Sequence, residues 1–303
     1  MQCKICGNER MNAPFLAQVT GGGGVDYFEC AVCKTLQINE IPRDMSLYYA
    51  DSYYSYNLDY KKLFGIVYHI QHIAVKLSFL IYPLALLFTV CSKVFLRRRY
   101  EKSYWLYWML KNFRSLNAPI LDVGCGNGAL LNEMRKYGFK NLTGIEPFLS
   151  GDVDYGNGVK IYKTELDKVR ETFDLIMFHH SLEHMPDPQE TFENIHRLLN
   201  KNGIALIRIP VAGSYAWRKY NTFWVGLDAP RHYFIFSGHA VKTLAGKNNL
   251  RLEEIFFDST TAQITASEQR EFSKSELSKI RRFVYRLNEN FDGDTAMFIL
   301  RKL

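Results

Sequence analysis

The sequence contains no internal repeat and no long low-complexity tract, so neither a solenoid nor a fibrous array is expected. Glycine clusters only once in a run, at 21–24, which reads as a local loop. A strong charge of one sign is also missing. The formal net charge of +7 over 303 residues permits contact with phosphates or an anionic membrane face and requires neither. No apolar stretch follows Met1-Gln2-Cys3-Lys4, and a secretory signal is therefore not expected. Cysteine is scarce, six residues in all, but four of the six are ordered as Cys3-x-x-Cys6 and Cys30-x-x-Cys33. Cys91 and Cys125 stand alone in apolar surroundings and read as packed thiols. A hydrophobic content of 47% indicates a globular chain with a real core, and the length suits one large domain plus additions.

The most informative stretch is Ile120-Leu121-Asp122-Val123-Gly124-Cys125-Gly126-Asn127-Gly128, followed by a helical pattern from Ala129 to Tyr137. It predicts a buried parallel strand, a tight turn and a helix N-terminus. Glycine at alternate positions lets backbone approach a ligand without a Cβ in the way, and the helix start offers unpaired N–H groups. The glycine spacing with Ala129 nearly fits a dinucleotide fingerprint. Asp122 argues against it, because a pyrophosphate would not favour a carboxylate there. A ligand carrying an amino group and a sulfonium would. A second strand, Leu142 to Ile145, ends in Glu146, placed to accept hydrogen bonds from ribose hydroxyls. The alternation continues through strand Phe173 to Phe178, helix Thr191 to Leu199 and strand Gly203 to Ile209.

Together, LDVGCGNG at 121–128, GIEP at 144–147, FDLIMFHHSLEHMPDP at 173–188 and LLNKNGIALIRIP at 198–210 resemble the class I S-adenosylmethionine-dependent methyltransferases. The resemblance implies a seven-stranded, Rossmann-like α/β sheet with helices on both faces. It also implies that Asp122, Gly124, Gly126 and Gly128 line the cofactor and that Glu146 holds its ribose. Glu165 is a candidate near the adenine. His179 and His180 would face the methyl-transfer centre. The expected domains are a zinc ribbon at 1–43, a linker and apolar helical insertion at 44–103, and the methyltransferase domain at 104–303.

The paired Cys-x-x-Cys turns suit tetrahedral zinc bound by Cys3, Cys6, Cys30 and Cys33. Four thiolates close the coordination shell, so the expected role is structural. A pair of disulfides is the alternative, disfavoured by a cytosolic cofactor and the expected lack of a signal. The segment 44–60 is tyrosine-rich and reads as interdomain packing or, alternatively, a lid. Many sugar- and polysaccharide-pathway methyltransferases look like this, with a cysteine ribbon followed by paired tyrosines. From Leu63 to Leu96 an apolar insertion departs from the family pattern and ends in Arg97-Arg98-Arg99. With basic residues on both sides, a single membrane crossing is disfavoured. Two readings stay open: a re-entrant or in-plane helix on the cytoplasmic membrane face, or a helical pair packed on the catalytic domain or in a homodimer. Localisation is expected to be cytoplasmic, with or without that peripheral contact.

Methyl transfer usually needs a base, and histidine suits neutral pH. The aromatic-rich segment 223–237 carries Asp228-Ala229-Pro230-Arg231-His232, which resembles the Pro-Arg-His segment of bacterial methyltransferases of polysaccharide and small-molecule pathways. His232 is the first candidate base and His180 the second. Asp228 would orient an imidazole and Arg231 would meet a phosphate. The competing role for His232 is a cap on the next helix, which Ser237 begins. Glu183 and His184 are read as shaping the loop after the fourth strand. The C-terminal part predicts strand Leu250 to Phe257, one basic amphipathic helix from Ser267 to Leu287, and strand Thr295 to Leu300. The expected acceptor is a sugar, glycolipid or polysaccharide precursor. An RNA acceptor is the alternative, disfavoured because the ribbon has few basic residues. A non-catalytic cofactor-binding scaffold is the third reading.

Overall fold

The structure is a computed structural model that describes residues 2–19, 23–48 and 115–303. The tyrosine-rich segment beyond 48, the apolar insertion at 63–96 and the domain boundary at 103/104 lie outside the described residues. No helix among the described residues is long and apolar enough to cross a membrane.

In chain order the strands are β1 (Phe15–Gln18), β2 (Gly24–Glu29), β3 (Leu36–Ile38), β4 (Pro119–Val123), β5 (Asn141–Ile145), β6 (Val153–Asp154), β7 (Val159–Tyr162), β8 (Phe173–His179), β9 (Leu199–Pro210), β10 (Phe234–Ile235), β11 (Leu250–Phe257) and β12 (Thr295–Lys302). The helices are α1 (Ala129–Lys136), α2 (Pro188–Leu198), α3 (Tyr215–Tyr220), α4 (Gly238–Lys247), α5 (Thr261–Glu268) and α6 (Lys274–Glu289). The chain divides into two compact units. One comprises Met1–Asp51, Arg170–Thr172 and Ile176–Leu303; the other comprises Ser52–Val169 and Phe173–Leu175.

The main sheet is mixed and eight-stranded, in the order β11-β12-β9-β8-β4-β5-β7-β6. The six strands placed by the sequence are in it, β7 is the seventh that the resemblance implies, and the eighth is the two-residue edge strand β6, antiparallel to β7. β4 pairs in parallel with β5, and β5 with β7. β12 runs antiparallel to both β9 and β11. The apolar runs behave as buried parallel strands should: Ile120, Leu121 and Val123 of β4 and Leu175, Ile176, Met177 and Phe178 of β8 are buried.

The second sheet is β1-β2-β3-β10. The cysteine ribbon supplies its first three strands, and the fourth comes from a segment about two hundred residues on in the chain. Three further bonds tie the ribbon to that half of the same unit. The Tyr27 hydroxyl donates to the His232 carbonyl at 2.7 Å, Ser237 Oγ to the Cys33 carbonyl at 2.5 Å, and Lys247 Nζ to the Ile5 carbonyl at 3.0 Å.

One expected element is corrected. The helix from Ser267 to Leu287 is two helices, α5 and α6. Gln269 takes a left-handed conformation (φ 48°) after α5, and Ser273 starts α6 afresh with a capping box to Glu276. The Ser-x-x-Glu cap satisfies the N–H groups of a new helix start, which stops the pattern from running on as one rod.

Candidate active site

The glycine turn sits where β4 hands over to α1. Gly124, Gly126 and Gly128 all have positive φ, at 71°, 53° and 69°. At Gly128 a Cβ would lie 2.4 Å from Ile161 Cδ1, so a larger residue would have to turn that side-chain tip aside as well as adopt the positive φ. The Gly126 N–H donates to Glu146 Oε2 and the Phe148 N–H to Glu146 Oε1, each at 3.2 Å. Glu146 thereby clamps the turn to the end of β5.

Two carboxyls are buried in this cradle, Asp122 and Glu146. Burial, and then the neighbouring Glu146, push Asp122 up to about 8. Burial raises Glu146 as well, against the two backbone N–H bonds that favour its charge. Burial lifts the Cys125 thiol too, followed by the same two carboxyls, so it is an inert packed group. A site that gathers two acids away from water is poorly set for an anion and well set for a ligand bearing positive charge. Glu165, by contrast, precedes a short 3-10 turn and pairs with Lys168 at 2.7 Å on the surface.

The histidine-bearing segment belongs to the other unit. His179 ends β8; burial, then the charges of Arg208 and His180, push its pKa down to about 3. His180 follows in the left-handed region (φ 56°). Its Nε2 meets Arg208 Nη1, and Arg208 Nε bonds Asp258 at 2.6 Å. A guanidinium only donates, so Nε2 is the accepting nitrogen and the ring hydrogen is on Nδ1. That Nδ1 lies 3.4 Å from Glu183 Oε1. The ring is thus held between a carboxylate and a guanidinium, and it can take a proton on Nε2 only when the Arg208 contact opens.

Glu183 itself was not among the candidates drawn from the sequence. It is fully buried, and Oε1 also faces His232 Nε2 at 3.9 Å. Burial raises its carboxyl, but His180, His232 and His184 outweigh that and hold it down to about 2. The signal that could have found it is the run His180-x-x-Glu183-His184, an acid flanked by imidazoles directly after a buried strand.

His232 is buried rather than a helix cap, since Ser237 Oγ accepts from the Ala240 N–H at the start of α4. Its Nδ1 meets the Gly226 carbonyl at 2.9 Å, and Nε2 faces Asp228 Oδ2 at 3.6 Å, beyond hydrogen-bond range. Asp228 and Arg231 pair with each other through both carboxylate oxygens, one bond being Arg231 Nε to Oδ2 at 3.0 Å. The structure therefore brings His180, Asp228, Arg231 and His232 together around Glu183, in one unit.

Cys3, Cys6, Cys30 and Cys33 converge, all four sulfurs lying within 4.8 Å of one another. The pairs Cys3–Cys33 and Cys6–Cys30 are 3.5 and 3.6 Å apart. A disulfide requires about 2.05 Å, whereas tetrahedral zinc with bonds of about 2.3 Å spaces its sulfurs near 3.8 Å. Gln37 Nε2 donates to Cys3 Sγ at 2.9 Å, which favours a thiolate. The donor set fits a closed structural zinc.

A glycine turn with an acid at the end of each of two adjacent strands of an open α/β sheet marks a class I, S-adenosylmethionine-dependent methyltransferase. The chain belongs to the methyltransferase domain family, whose model matches residues 96–255, more than half of its length. Two curated proteins are similar over a short stretch. EEF1A lysine methyltransferase 2 of Homo sapiens is 51% identical over 39 residues, and its Danio rerio counterpart 54% over 39 residues. These matches take in 13% of this chain and span only 16% and 17% of those proteins. Among solved structures, magnesium protoporphyrin IX methyltransferase from Synechocystis PCC 6803 with bound SAH is similar at 13% identity, over 66% of this chain and 81% of that one, with a TM-score of 0.45. The cyclopropane synthase MmaA2 from Mycobacterium tuberculosis is similar at 16% identity, over 61% and 78%, with a TM-score of 0.41.

Proposed function

We propose that this methyltransferase acts on a sugar, glycolipid or polysaccharide precursor. Asp122, Gly124, Gly126 and Gly128 hold the methionine end of the donor and Glu146 its ribose, with Glu165 serving the adenine side. His179 closes the strand that leads to the transfer centre, and His180, once its Nε2 parts from Arg208, removes the acceptor's proton with Glu183 behind it. His232 serves with Asp228 and Arg231 to shape the acceptor side. The observation that carries the acceptor reading is the segment 223–236. There the polar trio Asp228, Arg231 and His232 follows the exposed ring of Phe223, while Trp224, Tyr233, Phe234 and Phe236 are buried and anchor the segment. An exposed ring that stacks and charges that bind hydroxyls suit a saccharide.

A protein lysine acceptor is the second reading, favoured by the 51% identical stretch. Purified protein incubated with the methyl donor and a panel of nucleotide sugars, lipid-linked saccharides and lysine peptides tests both. A mass gain of one methyl on a saccharide is expected; a gain confined to peptides would replace the reading. In the same proposal the four cysteines hold a structural zinc, and chelation lowers the melting temperature. The insertion at 63–96 rests on the cytoplasmic membrane face. Recovery of all the protein in a detergent-free high-speed supernatant, as dimers, would assign it to self-association instead.

A further inference from the structure

A second cluster of metal-type donors lies outside the cysteine ribbon: Glu183, His184 and His232. One ring nitrogen of each histidine and one carboxylate oxygen lie within 4.8 Å of one another. Glu183 and His232 are buried, and neither Glu183 oxygen accepts a well-aligned hydrogen bond.

The backbone fixes the tautomers. His184 Nδ1 lies 2.8 Å from the Arg231 carbonyl, and His232 Nδ1 lies 2.9 Å from the Gly226 carbonyl. A carbonyl can only accept, so each ring must carry a hydrogen on Nδ1. In the neutral rings the lone pair is then on Nε2, and His232 Nε2 is the atom that faces Glu183. The Glu183 carboxylate and the His232 Nε2 lone pair face each other where water is excluded, the His180 Nδ1–H at 3.4 Å makes no well-aligned bond to that carboxylate, and a cation among the donors would balance their charge. Imidazoles whose Nδ1–H is anchored on a carbonyl are also the form in which histidine ligates metal. Asp228 is close, but Arg231 occupies both of its oxygens, so it is not counted among the ligands.

We propose that Glu183, His184 and His232 bind a divalent first-row transition ion of the zinc type. Two imidazoles among three donors disfavour magnesium and calcium, which prefer oxygen alone. Three protein ligands leave a coordination position open, as in catalytic rather than structural zinc sites. A hydroxyl bound there would lose its proton more readily. The site stands on its own donors and does not depend on which acceptor is methylated.

The test is metal stoichiometry on the full chain. Protein stripped with a chelator is reloaded with Zn2+ or Co2+ and dialysed, and bound metal is counted per chain. The cobalt spectrum separates thiolate ligation, which gives sulfur-to-metal charge transfer, from nitrogen and oxygen ligation, which does not. The expected result is one equivalent without thiolate character in addition to any held by the cysteines. Glu183→Gln and His232→Ala should each remove that equivalent and leave the thiolate bands intact, which also shows the ribbon folded. Wild-type protein that takes up only thiolate-bound metal, or none, would overturn the proposal whatever the variants do. Loss of donor binding with the second equivalent retained would overturn the donor reading alone.

Discussion

Two buried acids in this protein meet opposite fates. Asp122, beneath the glycine turn, has another carboxyl for a neighbour and is driven up to about 8. Glu183, equally withdrawn from water, is ringed by imidazoles and held down to about 2. Burial penalises both charges alike, and it is the neighbours' sign that decides the outcome. The first acid lacks its cation until a ligand brings one. The second sits among imidazoles, the company that a metal-binding carboxylate keeps. A donor cradle and a metal-type cluster are thus distinguishable from the neighbours of each carboxyl.

The sharpest way to break the comparison is at the base. His180→Gln should lower kcat by about 10²–10⁴-fold, the usual range for losing a general base. The dissociation constant for the donor, measured calorimetrically, should stay unchanged. Equal losses in both would show that His180 only supports the fold. Next comes Asp122→Asn, which keeps shape and removes charge. A bond to a charged group contributes about 1.5–3 kcal/mol, so donor affinity should weaken by about 10–150-fold.

The same substitution should act in reverse on stability. Asp122 has an ordinary value of 3.8 and a folded one of about 8, so the folded state binds the extra proton between them. Donor-free protein should therefore lose stability as pH rises from about 4 to about 8, by at most about 1.4 kcal/mol per pH unit at the steepest. Thermal melts at several pH values check this. Asp122→Asn should flatten the slope and melt higher near pH 8. The smallest effect serves as the control remote from both acids. Ser273→Ala removes one half of the capping box of α6 and should cost about 1 kcal/mol in a melt, without changing donor affinity.

What could be read from the sequence was whatever local pattern controls. The apolar runs ending at Val123 and Ile145 became the expected strands, and Ser237 capped the helix it was expected to begin. The spacing of Cys3, Cys6, Cys30 and Cys33 was enough to bring four sulfurs together. What stayed hidden depends on distant chain. β10 completes the ribbon's sheet from residue 234, and no local periodicity announces a partner so far away. Glu183 meets His232 across 49 positions, so a residue that looked like loop framework is the hub of the cluster. The break between α5 and α6 had a local signal, Ser273-x-x-Glu276, that the amphipathic pattern running through it obscured.

Two buried acids in the cradle await a cation, and titration calorimetry with S-adenosylmethionine tests this most directly. At pH 7, in two buffers of different ionisation enthalpy, the account predicts one donor per chain and release of protons as Asp122 gives up its hydrogen to the incoming charge. Saturable binding without proton release, or no heat at millimolar donor, would contradict it.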